Sequence, residues 1–132
     1  MDFESLLHET FLTLRTEYHL VMHPASDKAI WLDGSTYFLV IGYDREGVYV
    51  SYFAPGQERG YDMLAFLFDQ RSHLLVINPA CERSDGYREF IGLQLSAIAR
   101  HLLTAGQDIL QGEREWQRAY KFGRVDLNEV CA

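Results

Sequence analysis

The sequence carries no catalytic or metal-binding motif above background, and each missing motif excludes a class of chemistry. No nucleophile-elbow or triad spacing joins His73, Ser84, Asp85 and His101. Cys81 has no neighbouring residues that would lower a thiol pKa. The nearest approach to a phosphate loop, Gly56-Gln57-Glu58-Arg59-Gly60, has an acid where phosphate needs backbone amides and a base. His19 and His23 stand four apart, a spacing that pairs two imidazoles on a helix. No third ligand follows at helical spacing, and His23 precedes a proline. These absences argue against an enzyme, a metal and a cofactor. The remaining enzyme reading is a small catalytic or ligand-binding domain with a pocket lined by His73, His101 or Cys81.

Cysteine is also scarce. Cys81 and Cys131 match no zinc spacing and read as reduced, unpaired thiols. The N-terminus MDFESLLHET has acids where a signal peptide needs bases, and it lacks an apolar core. No run approaches the ~18 apolar residues of a membrane span. The expected location is therefore cytoplasmic. Basic charge is in deficit: the net charge is −7. Residues 1–60 hold nine acids and four bases, against ten and eight in 61–132, so the first half is the acidic one. This balance excludes nucleic acid and anionic membranes as natural partners and suits a basic protein, although it also serves plain solubility.

The residues present predict one α+β domain over 1–132. Phe3, Leu6, Leu7, Phe11, Leu14 and Tyr18 form a helical stripe over 2–20, with Pro24 ending the helix by about Met22. Residues 29–55 read as a three-stranded antiparallel meander. A strand at 29–32 meets a two-residue turn at Asp33-Gly34. A central strand at 36–43 is apolar on both faces. A turn at Asp44-Arg45-Glu46-Gly47 leads to a strand at 48–53. In the last strand Val48, Val50 and Tyr52 point one way, and Tyr49, Ser51 and Phe53 the other. Gly42 marks a bulge or a close backbone approach. Residues 61–70 read as a short helix capped by Asp62, with a strand paired to 74–77 as the competing reading. Residues 73–78 leave room for a fourth short strand. A long helix over 87–105 packs on the sheet and ends at Gly106, a helical turn or two follows at 113–120, and a short tail begins at about Gly123.

Acids recur in pairs, each diluted by an arginine, which is the pattern of a solvated surface. Where acids lie beside tyrosines, a second use appears: carboxylates steer a basic partner and aromatic rings anchor it. The turn and strand ends concentrate this combination in Tyr43, Asp44, Glu46, Tyr49, Glu58, Tyr61 and Asp62, the expected partner-binding residues. Core-edge packing of the tyrosines is the competing explanation.

From Tyr61 the chain reads YDMLAFLFDQR, then the helix IGLQLSAIARHLLTAGQ, then DILQGEREW. A short helix of the form Y-x-x-x-x-F-L-x-x-x-R, a long helix and a closing D-I-L-x-G-acid-x-x-W resemble the C-terminal half of small immunity proteins. These come from bacterial polymorphic toxin and contact-dependent inhibition systems. The resemblance covers 61–118, and Glu113 stands where Asp is expected. It implies a non-enzymatic inhibitor that binds a cognate toxin domain, with basic nucleases a frequent target. Motif residues Ile109, Leu110, Gly112 and Trp116 also have a purely structural reading, as core plugs and a turn. A second class, the type III secretion chaperones, shares the size, the acidity and a helix followed by antiparallel strands, but needs a further pair of strands after Asp62.

Overall fold

The computed structural model describes residues 2–74 and 86–130. It is an α+β fold in which six strands form one antiparallel sheet in sequence order, with most of the helices on one face and a short C-terminal helix on the other.

Helix α1 (Phe3–Thr10) starts where the Asp2 carboxylate accepts the Ser5 N–H at 3.1 Å, satisfying one of the free amides of the first turn. Phe11 departs from helical geometry, and α2 (Leu12–Tyr18) follows. The expected single helix over 2–20 is thus broken once, at Phe11, and ends at Tyr18, the last residue of its stripe. His19 takes the left-handed conformation (φ 55°) and turns the chain into a strand. His23 lies in that strand, so the two histidines do not share a helix face.

The strands are β1 (Val21–Ser26), β2 (Ala29–Asp33), β3 (Phe38–Asp44), β4 (Gly47–Phe53), β5 (Arg59–Asp62) and β6 (Val125–Asp126). The meander of β2, β3 and β4 is as expected; the strand count is not. β1 falls where the pattern predicts a helix end and a loop, because, as a mostly exposed edge containing Pro24, it carries no apolar alternation. β5 has four residues and β6 only two, too short for any periodic signal. The β2–β3 turn also differs from the two-residue form. Asp33 pairs with Phe38, and the left-handed residue is Ser35 (φ 69°), whose N–H the Asp33 carboxylate accepts at 2.9 Å. Tyr37, expected in the strand, instead turns inward, and its hydroxyl donates to the Leu110 carbonyl at 2.8 Å.

The apolar run of β3 is covered on both faces. Leu39 and Ile41 join the main core, while Val40 joins a second cluster with Ala29 and Phe53. Helices α1, α2, α3 (Met63–Gln70), α4 (Tyr87–Ala105) and α5 (Gln107–Leu110) contribute buried side chains to the main core. Asp62 caps α3 by accepting the Ala65 N–H at 3.1 Å, and α3 is helical where the competing reading had a strand. Ser72–Leu74 is a single 3-10 turn; the rest of the possible strand at 73–78, and both cysteines, lie outside the described residues.

The immunity-like residues within 61–118 serve the core and its ion pairing. Arg71 and Asp108 form a two-pronged ion pair at 2.5 and 2.8 Å, and Arg71 also donates to the Ala105 carbonyl at 2.7 Å. Partial burial pushes the Asp108 carboxyl up, but the Arg71 guanidinium outweighs it and holds the carboxyl below its ordinary value. Trp116, buried in the 3-10 segment Glu115–Ala119, meets the rings of Tyr52, Tyr61 and Phe66 at 4.8, 5.0 and 5.2 Å. Gly112 supplies the turn between them with φ 91°.

The expected tail is structural. The Arg124 guanidinium donates to the carbonyls of Gly60 and Arg59, each at 2.8 Å. β6 then pairs with β5, and α6 (Leu127–Val130) lays Leu127 and Val130 against the second cluster. Its apolar residues, Val125, Leu127 and Val130, are too few and too closely spaced to reveal a period.

Candidate functional site

The β3–β4 hairpin ends in a two-residue loop, Arg45-Glu46, closed by the Asp44–Gly47 pair. Gly47 has φ 123°, a conformation side-chain-bearing residues rarely adopt, and the Gln94 amide packs where a Cβ would sit. Several contacts hold this end in place. Asp44 Oδ1 accepts the Glu46 N–H at 2.8 Å. Gln94 Oε1 accepts the Val48 N–H at 2.8 Å, and the Tyr87 hydroxyl donates to the Asp44 carbonyl. Burial, then the nearby Asp44 charge, raise the Tyr87 phenol above its ordinary pKa, so it stays a donor at neutral pH. The Tyr43 ring packs on Phe3 at 4.8 Å. On the other face the Tyr49 ring crosses Gly42, the close approach expected there, and its hydroxyl donates to the Val130 carbonyl at 2.8 Å.

Around this end lies a cleft of about 850 Å³. Tyr43, Asp44, Tyr49 and Asp62, four of the seven sequence-predicted residues, line it. The remaining three lie elsewhere. Glu46 projects from the loop tip. Glu58 is exposed, and its carbonyl accepts the Leu127 N–H at 2.8 Å. Tyr61 is enclosed by Trp116 and Tyr120, with the Arg124 guanidinium 4.0 Å above its ring. Asp62 has a structural duty too, since one of its oxygens caps α3.

Sequence reading missed Lys28, Ser51, Tyr87 and Glu129 as parts of the cleft. Ser51 is recognisable only through its register with Asp62, and Tyr87 only through the return of α4 to the hairpin. Glu129 was hidden by the reading of 123–132 as a tail. A second groove, about 700 Å³, adjoins the first through their shared wall, Tyr43, and carries Asp2, Glu4 and Asp27. Both clefts that meet at Tyr43 thus carry carboxylates.

Other candidates are not assembled. His101 is buried beside Phe68, and neither His73 nor His101 reaches the cleft. Among the described residues no group of three His, Cys, Asp or Glu side chains could hold a metal ion. Nor, among them, is any helix long and apolar enough to cross a membrane. No protein-family model, curated protein or solved structure matches the chain.

Proposed function

We propose that this chain is a non-enzymatic, acidic binding protein that neutralises a cognate bacterial toxin by direct contact, in the manner of immunity proteins. The observation that carries this reading is the convergence of Tyr43, Asp44, Tyr49 and Asp62 on one cleft whose hairpin is braced by α1 and α4. A braced surface loses little conformational entropy on binding, and carboxylates beside tyrosines suit a basic protein. The resemblance over residues 61–118 supports the framework of such a protein; its motif residues Asp108 and Trp116 are engaged by Arg71 and by Tyr52, Tyr61 and Phe66, so they say nothing of which toxin is bound. A secretion chaperone lacks a comparable observation, because Met63–Gln70 is a helix where that reading needed a strand.

Co-expression with candidate toxin C-terminal domains tests the proposal. The expected result is a stable complex and protection from growth arrest. Failure of every toxin domain to bind, together with measured turnover of a small substrate, would sink it. The surface is tested separately by Asp44→Lys with Glu46→Lys, which spares the cap at Asp62. Association should slow by about tenfold at low salt and lose part of its salt dependence. Unchanged kinetics would move the interface away from the hairpin.

A further inference from the structure

We propose that the hairpin-end cleft is a seat for one arginine side chain presented by the bound protein. This rests on the protein-binding reading above and specifies the chemistry of the partner.

Ser51 forms part of the cleft floor. It is only 3% exposed, yet it lines the cleft, and its hydroxyl makes no hydrogen bond to any described residue. It lies on the same face of β4 as Tyr49 and opposite Asp62 in register. The Ser51 hydroxyl is not among the buried unpaired atoms, so what little of Ser51 is exposed includes its oxygen, which a donor entering the cleft can reach.

The charges define that donor further. Asp44, Asp62 and Glu129 line the cleft with Lys28 and Arg45, leaving one net negative charge. Asp44 and Asp62 each spend one carboxylate oxygen on a local N–H and keep the other. These acids do not converge tightly enough to hold a metal ion. Lys28 Nζ already lies 6.0 Å from the Tyr43 ring centroid, so the cleft holds one cation against its aromatic wall, and the spread of carboxylates beside it fits a wide planar cation as the second. A guanidinium stacks on tyrosine and offers its N–H groups in several directions, whereas an ammonium concentrates its charge and holds its water more tightly. One net negative charge matches one such cation rather than a polybasic run.

The test titrates the isotopically labelled full chain with N-acetyl-arginine methylamide, and separately with its lysine counterpart, at physiological salt. Saturable amide shifts at Tyr43, Asp44, Tyr49 and Ser51 are expected, in the millimolar range natural for so small a ligand, about 4 kcal/mol. The lysine compound should bind at least about fivefold more weakly. Asp44→Asn with Glu129→Gln, both exposed positions, should weaken arginine about tenfold with the melting temperature unchanged. Ser51→Ala should weaken it by about threefold. Absent shifts, shifts spread over the whole acidic surface, equal binding of the two compounds, or indifference to the double variant would each overturn the arginine seat. Full toxin binding by the double variant would also overturn the seat while leaving toxin neutralisation standing. Saturable arginine binding with no toxin partner would support the seat and overturn the toxin reading.

Discussion

The two faces of the sheet are closed in different ways. One face carries α1 to α5 and a continuous core, into which the chain returns repeatedly from Phe3 to Trp116. The other buries Ala29, Val40 and Phe53 beneath a single short return of chain, Val125–Asp126 and Leu127–Val130. On the thick face each contact is backed by several elements, so losing one leaves a cavity in a framework. On the thin face, among the described residues, the cover is Val125, Leu127 and Val130 together with the rings of Trp31, Phe38 and Tyr49, and Val125 and Val130 also form a wall of the hairpin-end cleft. The hairpin-end cleft draws on both faces: Tyr43 packs on Phe3 of the thick one, and Tyr49 meets α6 on the thin one.

The strongest challenge to that contrast is Trp116→Ala. It removes the ring shared by Tyr52, Tyr61 and Phe66, and should cost about 3–5 kcal/mol in chemical denaturation. A cost near zero would mean the thick face is not the main store of stability. Ending the chain after Arg124 should cost less, about 2–3 kcal/mol, from uncovering Val40 and Phe53. Increased binding of a hydrophobic dye with helical circular dichroism retained is the expected signature. Complete unfolding would show that the thin face holds the sheet together. Arg71→Ala should cost about 2 kcal/mol, because it leaves the half-buried Asp108 without its cation. Asp108→Asn with Arg71→Ala should then cost less than the two changes summed.

The smallest effect concerns pH. His101 is buried in α4 with Nδ1 unpaired; burial, then Arg100, hold its pKa below the ordinary 6.5. The folded protein thus favours the neutral ring. Below pH 6.5 the unfolded chain takes up a proton that the folded chain resists, so stability falls as pH drops through that value. His101→Leu should flatten this part of the stability profile. An unaltered slope would place the acid sensitivity elsewhere.

How much of this was legible in the sequence follows from element length and burial. The long helix at Tyr87–Ala105, the alternation of β4 and the two-sided apolar run of β3 were readable because many buried side chains repeat in each. β1, β5 and β6 were not, since an exposed edge and strands of two to four residues give no period. The cap at Asp62 was readable from local chemistry, as was the positive φ at Gly47. The cleft was half readable. Tyr43, Asp44 and Tyr49 belong to one hairpin and are close in sequence. Asp62 is the fourth predicted residue found there, whereas Ser51, Tyr87 and Glu129 are brought in by strand register, helix return and chain return, which only tertiary structure determines.

The late return of residues 125–130 also sets an order of events during synthesis. A chain leaves the ribosome from its N-terminal end, so β2, β3 and β4 emerge long before the segment that covers Val40 and Phe53. The stacked rings of Phe38 and Phe53, 5.4 Å apart, await that cover while the remainder is being made. The nascent strands β2 to β4 therefore wait for cover on both faces, from α4 and Trp116 on one and from residues 125–130 on the other, and that wait is when they are open to chaperones or to wrong association.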